Sequence, residues 1–319
     1  MSYSEQAVTF SCARDTLIGI LSAPQGATVA TDSATGNSLS NFATSSIVSD
    51  GNSTAQSAKC TTGVVIIIGG PQYRAGSHRQ FVLLARAVAM AGYPVLRFDY
   101  RGMGDSTGEQ RDFLQVTTDI AAAIDTLQRK VSSVRHVVLW GLCDAASAAL
   151  LYCGDTQDPR VRGLCLLNPW VRSEVGLARA HVKHYYADRL KQRDFWVKLL
   201  SGKVARSALT GLMRNLATAF STRTKVVSSG SMPFQERMAV ALHRFDGPAL
   251  LFLSENDYTA KEFGDCLETS PTWANAITNP RLVRHKELGA DHTLSQRKSS
   301  LVAEKCTIDL VAQVSTFAV

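Results

Sequence analysis

The sequence lacks several features that would assign its class directly. Its 319 residues contain no Cys-x-x-Cys pair, and the seven cysteines are an odd number, which favours reduced thiols over a disulfide framework. The longest apolar runs, such as Val64–Ile68, are far shorter than the ~20 residues needed to cross a bilayer. The N-terminal residues show no basic segment followed by an apolar one, so no secretory signal is expected. These absences predict a soluble, cytoplasmic protein without a transmembrane segment.

Charged residues are also scarce, at 19%, whereas hydrophobic residues reach 45% and glycine and proline number 22 and 9. This composition excludes disordered and fibrous chains and indicates a globular protein of one large domain or two ordinary ones. The net charge of +7 is compatible with a nucleic acid, a membrane surface or an anionic substrate as partner. No nucleic-acid partner is expected, because the net charge is the one feature of the sequence that favours it.

Two short β-type runs open the chain, Ala7–Cys12 and Thr16–Leu21, and they predict an antiparallel hairpin within residues 1–26. Residues 27–62 are dominated by alanine, glycine and small polar residues, with too few apolar side chains to offset the entropy lost on ordering. We therefore predict that this low-complexity segment is a disordered insertion.

From Gly63 onward, short apolar or β-branched runs alternate with segments of helical period such as Ser77–Ala91. This alternation predicts an α/β fold with a mostly parallel, doubly wound sheet covered by helices on both faces. Its two core parts are residues 63–169 and 247–319, and residues 170–246, which lack a convincing strand, are expected to form a helical cap. The predicted strands are Val64–Ile68, Pro94–Phe98, His136–Trp140, Arg162–Leu167, Pro248–Ser254 and Arg281–Leu288.

The predicted cap is strongly basic. From Arg179 to Lys225 there are eleven lysines and arginines but only two aspartates. This surface is either a solvated outer face or one that draws an anionic saccharide, lipid or other anionic substrate toward the cleft. His181 and His184 have the spacing of a metal-binding pair, but that spacing is common, so no metal or other cofactor is expected.

A candidate nucleophile follows the third strand after the insertion. Gly141-Leu-Cys-Asp-Ala145 matches the nucleophile-elbow pattern G-x-S-x-G, with Cys143 in place of serine and Ala145 in place of the last glycine. A sharp strand-to-helix turn needs small neighbours, and the helix N-terminus that follows stabilises a thiolate. Taken alone, Cys143 could equally be a small buried hydrophobic residue like Cys165.

Two further strands end in residues that complete a catalytic set. Asp257 follows the next-to-last strand and His292 follows the last one, which is the chain order nucleophile, acid, histidine. A histidine that is oriented by a carboxylate activates a nucleophile. Asp144 and Asp291 are rival carboxylates, and Asp144 is the weaker rival because it directly follows Cys143 and cannot easily reach behind the imidazole.

The loop Gly69-Gly-Pro-Gln-Tyr73 is expected to complete the site. An acyl-transfer site needs donors for the oxyanion, and the candidates are the backbone N–H groups of Asp144 and of Gly70, with Gln72 as the less favoured alternative to Gly70 because Pro71 has no N–H. Gln72 and Tyr73, and Trp170 after another strand, are candidates for substrate contact. The glycines of Asp99-Tyr-Arg-Gly-Met-Gly-Asp-Ser106 match a dinucleotide fingerprint only imperfectly, so a structural turn beside the site is favoured.

With these motifs in place the chain resembles the α/β-hydrolase superfamily, in which Asp-x-Arg-Gly-x-Gly-x-Ser commonly accompanies the elbow. It is similar more closely to the exosortase A system-associated hydrolases, first type, over residues 7–26 and from 63 to nearly the C-terminus. The peptides that carry this similarity are Gly69–Phe81, Phe98–Asp105, Trp140–Ser147, Leu167–Arg172 and Pro233–Met238. The resemblance implies an α/β-hydrolase fold in a bacterial protein encoded with exopolysaccharide synthesis and exosortase sorting machinery. The cysteine nucleophile also resembles that of dienelactone hydrolase.

We therefore expect an ester or thioester hydrolase in which Cys143, His292 and Asp257 act through an acyl-enzyme. Two alternatives remain open at this point. The same acyl-enzyme could pass its acyl group to a sugar or lipid hydroxyl, or the protein could be a non-catalytic accessory of polysaccharide assembly.

Overall fold

A computed structural model describes residues 2–30, 61–70, 72–172 and 232–317, and these form an eight-stranded sheet with flanking helices. The strands are β1 (Tyr3–Cys12), β2 (Asp15–Pro24), β3 (Thr62–Ile67), β4 (Val95–Asp99), β5 (His136–Leu142), β6 (Val161–Leu167), β7 (Ala249–Ser254) and β8 (Leu282–Glu287). The helices are α1 (Gln80–Met90), α2 (Thr117–Lys130), α3 (Asp144–Thr156), α4 (Phe234–Arg244), α5 (Tyr258–Thr269), α6 (Pro271–Ala276) and α7 (Arg297–Phe317).

The strands lie in the order β1-β2-β4-β3-β5-β6-β7-β8. β1 and β2 are antiparallel, β2 is antiparallel to β4, and every other neighbouring pair is parallel. This confirms the predicted mostly parallel sheet. The order changes direction at β3, which has β4 on one side and β5 on the other. In open sheets of this kind the ligand crevice lies at such a switch point, beyond the carboxyl ends of the strands.

Helices cover both faces of the sheet, and that is why its central strands are continuously apolar. Every residue of β3 is buried, and α1 and α7 pack together on one face while α2 and α3 pack together on the other. Trp140 of β5 joins the first face: its ring packs edge-on against Phe81, with ring centroids 5.7 Å apart, and its indole N–H donates to Thr307 of α7. The core is therefore built around β3 and β5, the strands that precede the loop with Gly70 and the turn with Cys143.

The N-terminal hairpin is longer than predicted. Its register runs from Tyr3 opposite Pro24 to Cys12 opposite Asp15, because β2 is also held on its other side by β4 and its last residues are buried. Thr62, the last residue of the predicted insertion, is the first residue of β3. Most of the predicted disordered segment 27–62 lies outside the described residues.

The predicted cap, residues 170–246, also lies largely outside the described residues, and with it the basic segment and the two histidines of metal-like spacing. The chain divides into one unit of Met1–Trp170 with Phe234–Val319 and a second unit of Val171–Pro233. The structure assigns α4 to the larger unit, because α4 packs against α3, where a Cβ on Gly154 would lie 3.0 Å from the Cβ of Ala241. The end of the second unit is thus at Pro233, earlier than the predicted 246.

Across the described ranges, no helix combines the length and the apolar character required to cross a bilayer.

Candidate active site

Cys143 lies at the tip of a sharp turn between β5 and α3, as the elbow pattern predicts. Its backbone has a positive φ, a conformation adopted mostly by glycine, with φ 63° and ψ −125°. The turn leaves no room at Gly141, where a Cβ would lie 2.5 Å from backbone atoms of Ala145. A non-glycine residue in such a conformation costs about 1–3 kcal/mol and tends to persist at functional sites. Cys143 holds this strained conformation at the carboxyl edge of the sheet, where it is half-buried.

Backbone hydrogen bonds hold the elbow in place. The N–H of Cys143 donates to the carbonyl of Leu167 at 2.9 Å, and the carbonyl of Cys143 accepts from the N–H of Trp170 at 3.2 Å. The hydroxyl of Ser147 in turn donates to the carbonyl of Trp170 at 2.7 Å. Trp170, predicted as a substrate contact, is therefore next to the nucleophile, and its backbone is part of the support of the turn.

His292 and Asp257 meet at the same edge of the sheet. The Nδ1 of His292 lies 2.9 Å from Oδ2 of Asp257. Asp257 is buried and is also the N-cap of α5, where its carboxylate accepts the N–H groups of Thr259 and Ala260. These bonds fix the carboxylate behind the imidazole, so Asp257 occupies the orienting position that the strand order predicts.

The electrostatics of His292 link it to both partners. The carboxylate of Asp257 and, second, the side chain of Cys143 raise the pKa of His292 to about 10. Both side chains thus favour the protonated form of the imidazole at neutral pH. A histidinium beside a cysteine is the pairing that stabilises a thiolate nucleophile.

The two rival carboxylates have other partners. Asp291 accepts the N–H of Ser295 at 2.9 Å and is bonded to its hydroxyl, which lower the pKa of Asp291 against a raising effect of burial. Asp144 points toward the loop after β3. Of the three candidate carboxylates, the structure brings Asp257 alone within hydrogen-bond distance of the imidazole in the described ranges.

The two residues predicted to supply the oxyanion donors are hydrogen-bonded to each other, which the sequence did not indicate. The N–H of Gly70 donates to Oδ2 of Asp144 at 2.7 Å, while Oδ1 of the same carboxyl is buried without a partner. Gly69 makes this possible, because a Cβ there would lie 1.9 Å from Oδ1. Burial raises the pKa of Asp144, against the lowering effect of its backbone donors. The Gly70 N–H therefore donates to a side chain, whereas the prediction assumed that it was free.

The loop after β4 supports the loop after β3. Arg74 donates its backbone N–H to the fully buried Asp99 at 2.8 Å, and its guanidinium pairs with Asp99 and with Asp105. Gly104, with φ 52°, leaves space for this carboxylate, since a Cβ would lie 2.2 Å from it. The glycine motif thus forms a structural turn beside the site. The hydroxyl of Tyr73 donates to Asp105 as well.

Gln72 and Tyr73, the other predicted substrate contacts, differ in their surroundings. Oε1 of Gln72 is buried without a hydrogen-bond partner. Tyr73 is 45% exposed, and the guanidinium carbon of Arg74 lies 4.4 Å from its ring centroid. Both belong to the loop that carries Gly70, but Gln72 alone of the two has a buried polar atom without a partner.

A cavity of about 480 Å³ adjoins this loop. Sequence reasoning did not find it, because its wall includes a segment, 110–115, that reads as an ordinary polar loop. The residues that line it include Gly70, Tyr100, Met103, Arg111, Phe113 and Asp144. It therefore begins at the two residues predicted to hold an oxyanion.

Comparison with known proteins identifies the family to which this chain belongs. A family profile described as serine aminopeptidase, S33, matches residues 59–261. The chain belongs to this α/β-hydrolase family. Its fold is similar to an esterase of Pyrococcus furiosus, Pf2001, with a TM-score of 0.56 at 12% identity over 97% of this chain and 92% of that one. It is similar also to proline iminopeptidase of Mycobacterium smegmatis, with a TM-score of 0.55 at 14% identity over 98% of this chain and 100% of that one.

One curated relative matches a shorter part of the chain. The human protein ABHD12B is 36% identical over 116 residues, which are 34% of this chain and 31% of that protein. The match thus spans less than a third of the relative's length. The family match and these similarities together establish the family and the α/β-hydrolase fold of the chain.

Proposed function

We propose that this hydrolase cleaves esters or thioesters through a covalent acyl-enzyme on Cys143. The observation that carries the proposal is the set of side chains at the sheet edge, in which Asp257 is hydrogen-bonded to His292 and the Cys143 side chain helps to raise the pKa of that histidine. The three residues come from the ends of β5, β7 and β8, where a parallel sheet gathers its ligand-binding loops. The esterase fold of the Pyrococcus protein is in keeping with ester substrates.

The proposed reaction has two halves. In the first, the Cys143 thiolate attacks the acyl carbon, and the histidinium of His292 gives its proton to the alkoxide or thiolate that leaves. In the second, His292 takes a proton from water, the water oxygen attacks the acyl-cysteine, and the Cys143 thiolate is released with a carboxylic acid as product. Asp257 keeps the imidazole oriented and stabilises its charged form in both halves.

Acid quenching tests the covalent step. The protein is mixed with a panel of acyl esters, acyl thioesters and an aminoacyl anilide, quenched before the steady state, and digested for mass spectrometry. We expect one acyl group on the peptide that contains Cys143, and a hydroxamate when hydroxylamine is present to trap it. A Cys266→Ala variant, which removes a thiol away from the site, serves as the control and should be acylated like the wild type.

Alcohol or thiol release without an adduct and without hydroxamate would overturn the covalent route. Turnover of the anilide alone would overturn the substrate class and assign a peptidase instead.

Asp144 adds a second testable element to the proposed chemistry. The N–H of Gly70 donates to its carboxylate in the free protein, so a substrate carbonyl must compete for that donor. A hydrogen bond to a charged group is worth about 1.5–3 kcal/mol. The proposed oxyanion pair, the N–H groups of Gly70 and Asp144, is thus partly occupied until substrate displaces the carboxylate.

We expect Asp144→Ala to raise kcat on an activated thioester by about tenfold, because 1.4 kcal/mol corresponds to a factor of ten. Asp144→Asn keeps an acceptor for the Gly70 N–H and should remain within about threefold of the wild type. Steady-state kinetics measure kcat of both variants. Thermal unfolding measures the stability lost with the negative charge at the first turn of α3, which interacts favourably with the helix dipole. A fall in kcat of Asp144→Ala by tenfold or more would instead show that the carboxyl assists catalysis.

The proposed setting follows from the resemblance to exosortase A system-associated hydrolases. On that basis we propose that the enzyme acts in the cytoplasm of a bacterium that makes exopolysaccharide. Six cysteines in the described ranges are free thiols, which is in keeping with a reducing compartment. A deletion of the gene tests this setting through the composition of the secreted polysaccharide.

A further inference from the structure

The cavity beside Gly70 contains an unneutralised positive charge. Nε of Arg111 is buried without a hydrogen-bond partner, and within the described ranges the guanidinium joins no other residue through an ion pair or hydrogen bond. The Arg111 side chain is partly exposed as a whole, but a buried N–H group such as this one normally has a hydrogen-bond partner, because desolvating it without one costs free energy. Arg111 lines the cavity, so a ligand in the cavity is the natural source of the missing acceptor.

The nearby carboxylates do not serve as that acceptor. Asp112 is exposed, and its Oδ1 accepts the N–H of Leu114 at 2.8 Å. Oδ2 of Asp144 accepts the N–H of Gly70 at 2.7 Å, and its Oδ1 has no hydrogen-bond partner in the described ranges. One oxygen of each acid thus accepts a backbone donor, and within the described ranges neither acid forms an ion pair with Arg111.

The cavity lies on the acyl side of the proposed nucleophile. In the sheet order, β3 and β4 are on one side of β5 and β7 and β8 on the other. Gly70 and Tyr100, which line the cavity, follow β3 and β4, whereas His292 follows β8. A leaving group must face His292 to receive its proton, so the space on the opposite side of Cys143 is left for the acyl chain.

The geometry points to an acyl pocket in which Arg111 binds a carboxylate at the far end of the acyl chain, so that the substrates are monoesters or monothioesters of short dicarboxylic acids. A guanidinium binds a carboxylate through two parallel hydrogen bonds. The cavity volume of about 480 Å³ is within the usual range of small-molecule pockets, about 300–1,000 Å³. This inference rests on the proposed acyl-enzyme function and names its substrate class.

Two thioesters of equal chain length test the pocket. One is a monothioester of glutaric acid, and the other is the pentanoyl thioester, in which a methyl group replaces the terminal carboxylate. We expect the wild type to have the higher kcat/KM on the glutaryl thioester. Arg111→Gln should lower kcat/KM on that substrate by about 10- to 100-fold, the range for charged hydrogen bonds, and leave the pentanoyl thioester within about twofold.

Arg14→Gln is the matched control, because Arg14 is exposed in the turn between β1 and β2 and its loss changes the net charge equally. It should leave both substrates unchanged. Equal losses on both thioesters in Arg111→Gln, or a wild type without preference for the anionic one, would overturn the inference while leaving the proposed function intact.

Calorimetry with glutarate separates the pocket from the chemistry. We expect glutarate to bind the wild type and Arg14→Gln but to bind Arg111→Gln at least about tenfold more weakly. If neither thioester is hydrolysed, the proposed function fails, and glutarate binding still decides the pocket. Equal binding to the wild type and to Arg111→Gln would overturn it.

Discussion

Cys143→Ala should abolish hydrolysis of an activated thioester, with kcat/KM reduced by at least about 10³-fold. Alanine has no nucleophile, and no other thiol of the described residues lies at the elbow. Among the thiols of the described residues, that of Cys143 contributes to the raised pKa of His292. Steady-state kinetics with the pentanoyl thioester measure the loss, because that substrate makes no demand on Arg111. Cys266→Ala is the control and should keep its activity.

Cys143→Gly extends the same experiment to stability. The residue has φ 63°, a conformation that glycine adopts without strain. We expect this variant to be as inactive as Cys143→Ala but to have a free energy of unfolding higher by about 1 kcal/mol. Denaturant unfolding measures the difference between the two variants. Retained turnover in either variant would contradict the assignment of Cys143 as nucleophile.

His292→Asn should lower kcat/KM on the same thioester by about 10²- to 10⁴-fold, the usual contribution of a positioned acid and base. The variant loses both the counter-charge of the thiolate and the proton that the leaving group receives. His285 offers a matched control on β8, because its Nε2 pairs with Glu287 at 2.9 Å in the same manner but away from the elbow. His285→Asn should retain activity, and equal losses in both variants would contradict a special role for His292.

The pH dependence of His292 follows from the direction of its shift. Its pKa rises from 6.5 to about 10 in the folded protein, so the folded state binds the proton more tightly than the unfolded state. The stability from this group is therefore fully present below pH 6.5 and is lost as the pH rises toward 10. The difference in free energy of unfolding between the wild type and His292→Asn should shrink over that interval. A difference that grows with pH would contradict the ion-pair description.

The three proposed catalytic residues could be found from sequence because each one follows a strand. Cys143, Asp257 and His292 are far apart in the chain, but the carboxyl ends of parallel strands meet at one edge of a sheet. Recognising the strands was therefore enough to predict that the side chains converge. The structure places Asp257 2.9 Å from His292, and the elbow conformation of Cys143 agrees with the small residues around it.

The state of the Gly70 N–H could not be predicted in the same way. Its acceptor is a side chain 74 residues away, and the space for that side chain depends on Gly69. An interaction of this kind has no local pattern, since any polar residue near the loop could have bonded to the amide. The end of the second unit was missed for a similar reason: α4 has an ordinary helical pattern, and packing against Gly154 of α3 assigns it to the core.

By itself the sequence determined the alternation of strands and helices, the elbow at Cys143 and the chain order of nucleophile, acid and histidine. These features depend on hydrophobic periodicity and on small residues at a sharp turn, which act over a few neighbouring positions. Only the tertiary structure decided that Asp144 accepts the Gly70 N–H. It also decided that Arg111 lines a cavity and that its buried Nε has no hydrogen-bond partner in the described ranges. Hydrogen bonding and neutralisation of charge depend on which groups the fold brings within about 3 Å, and that proximity is a property of the whole sheet and its loops.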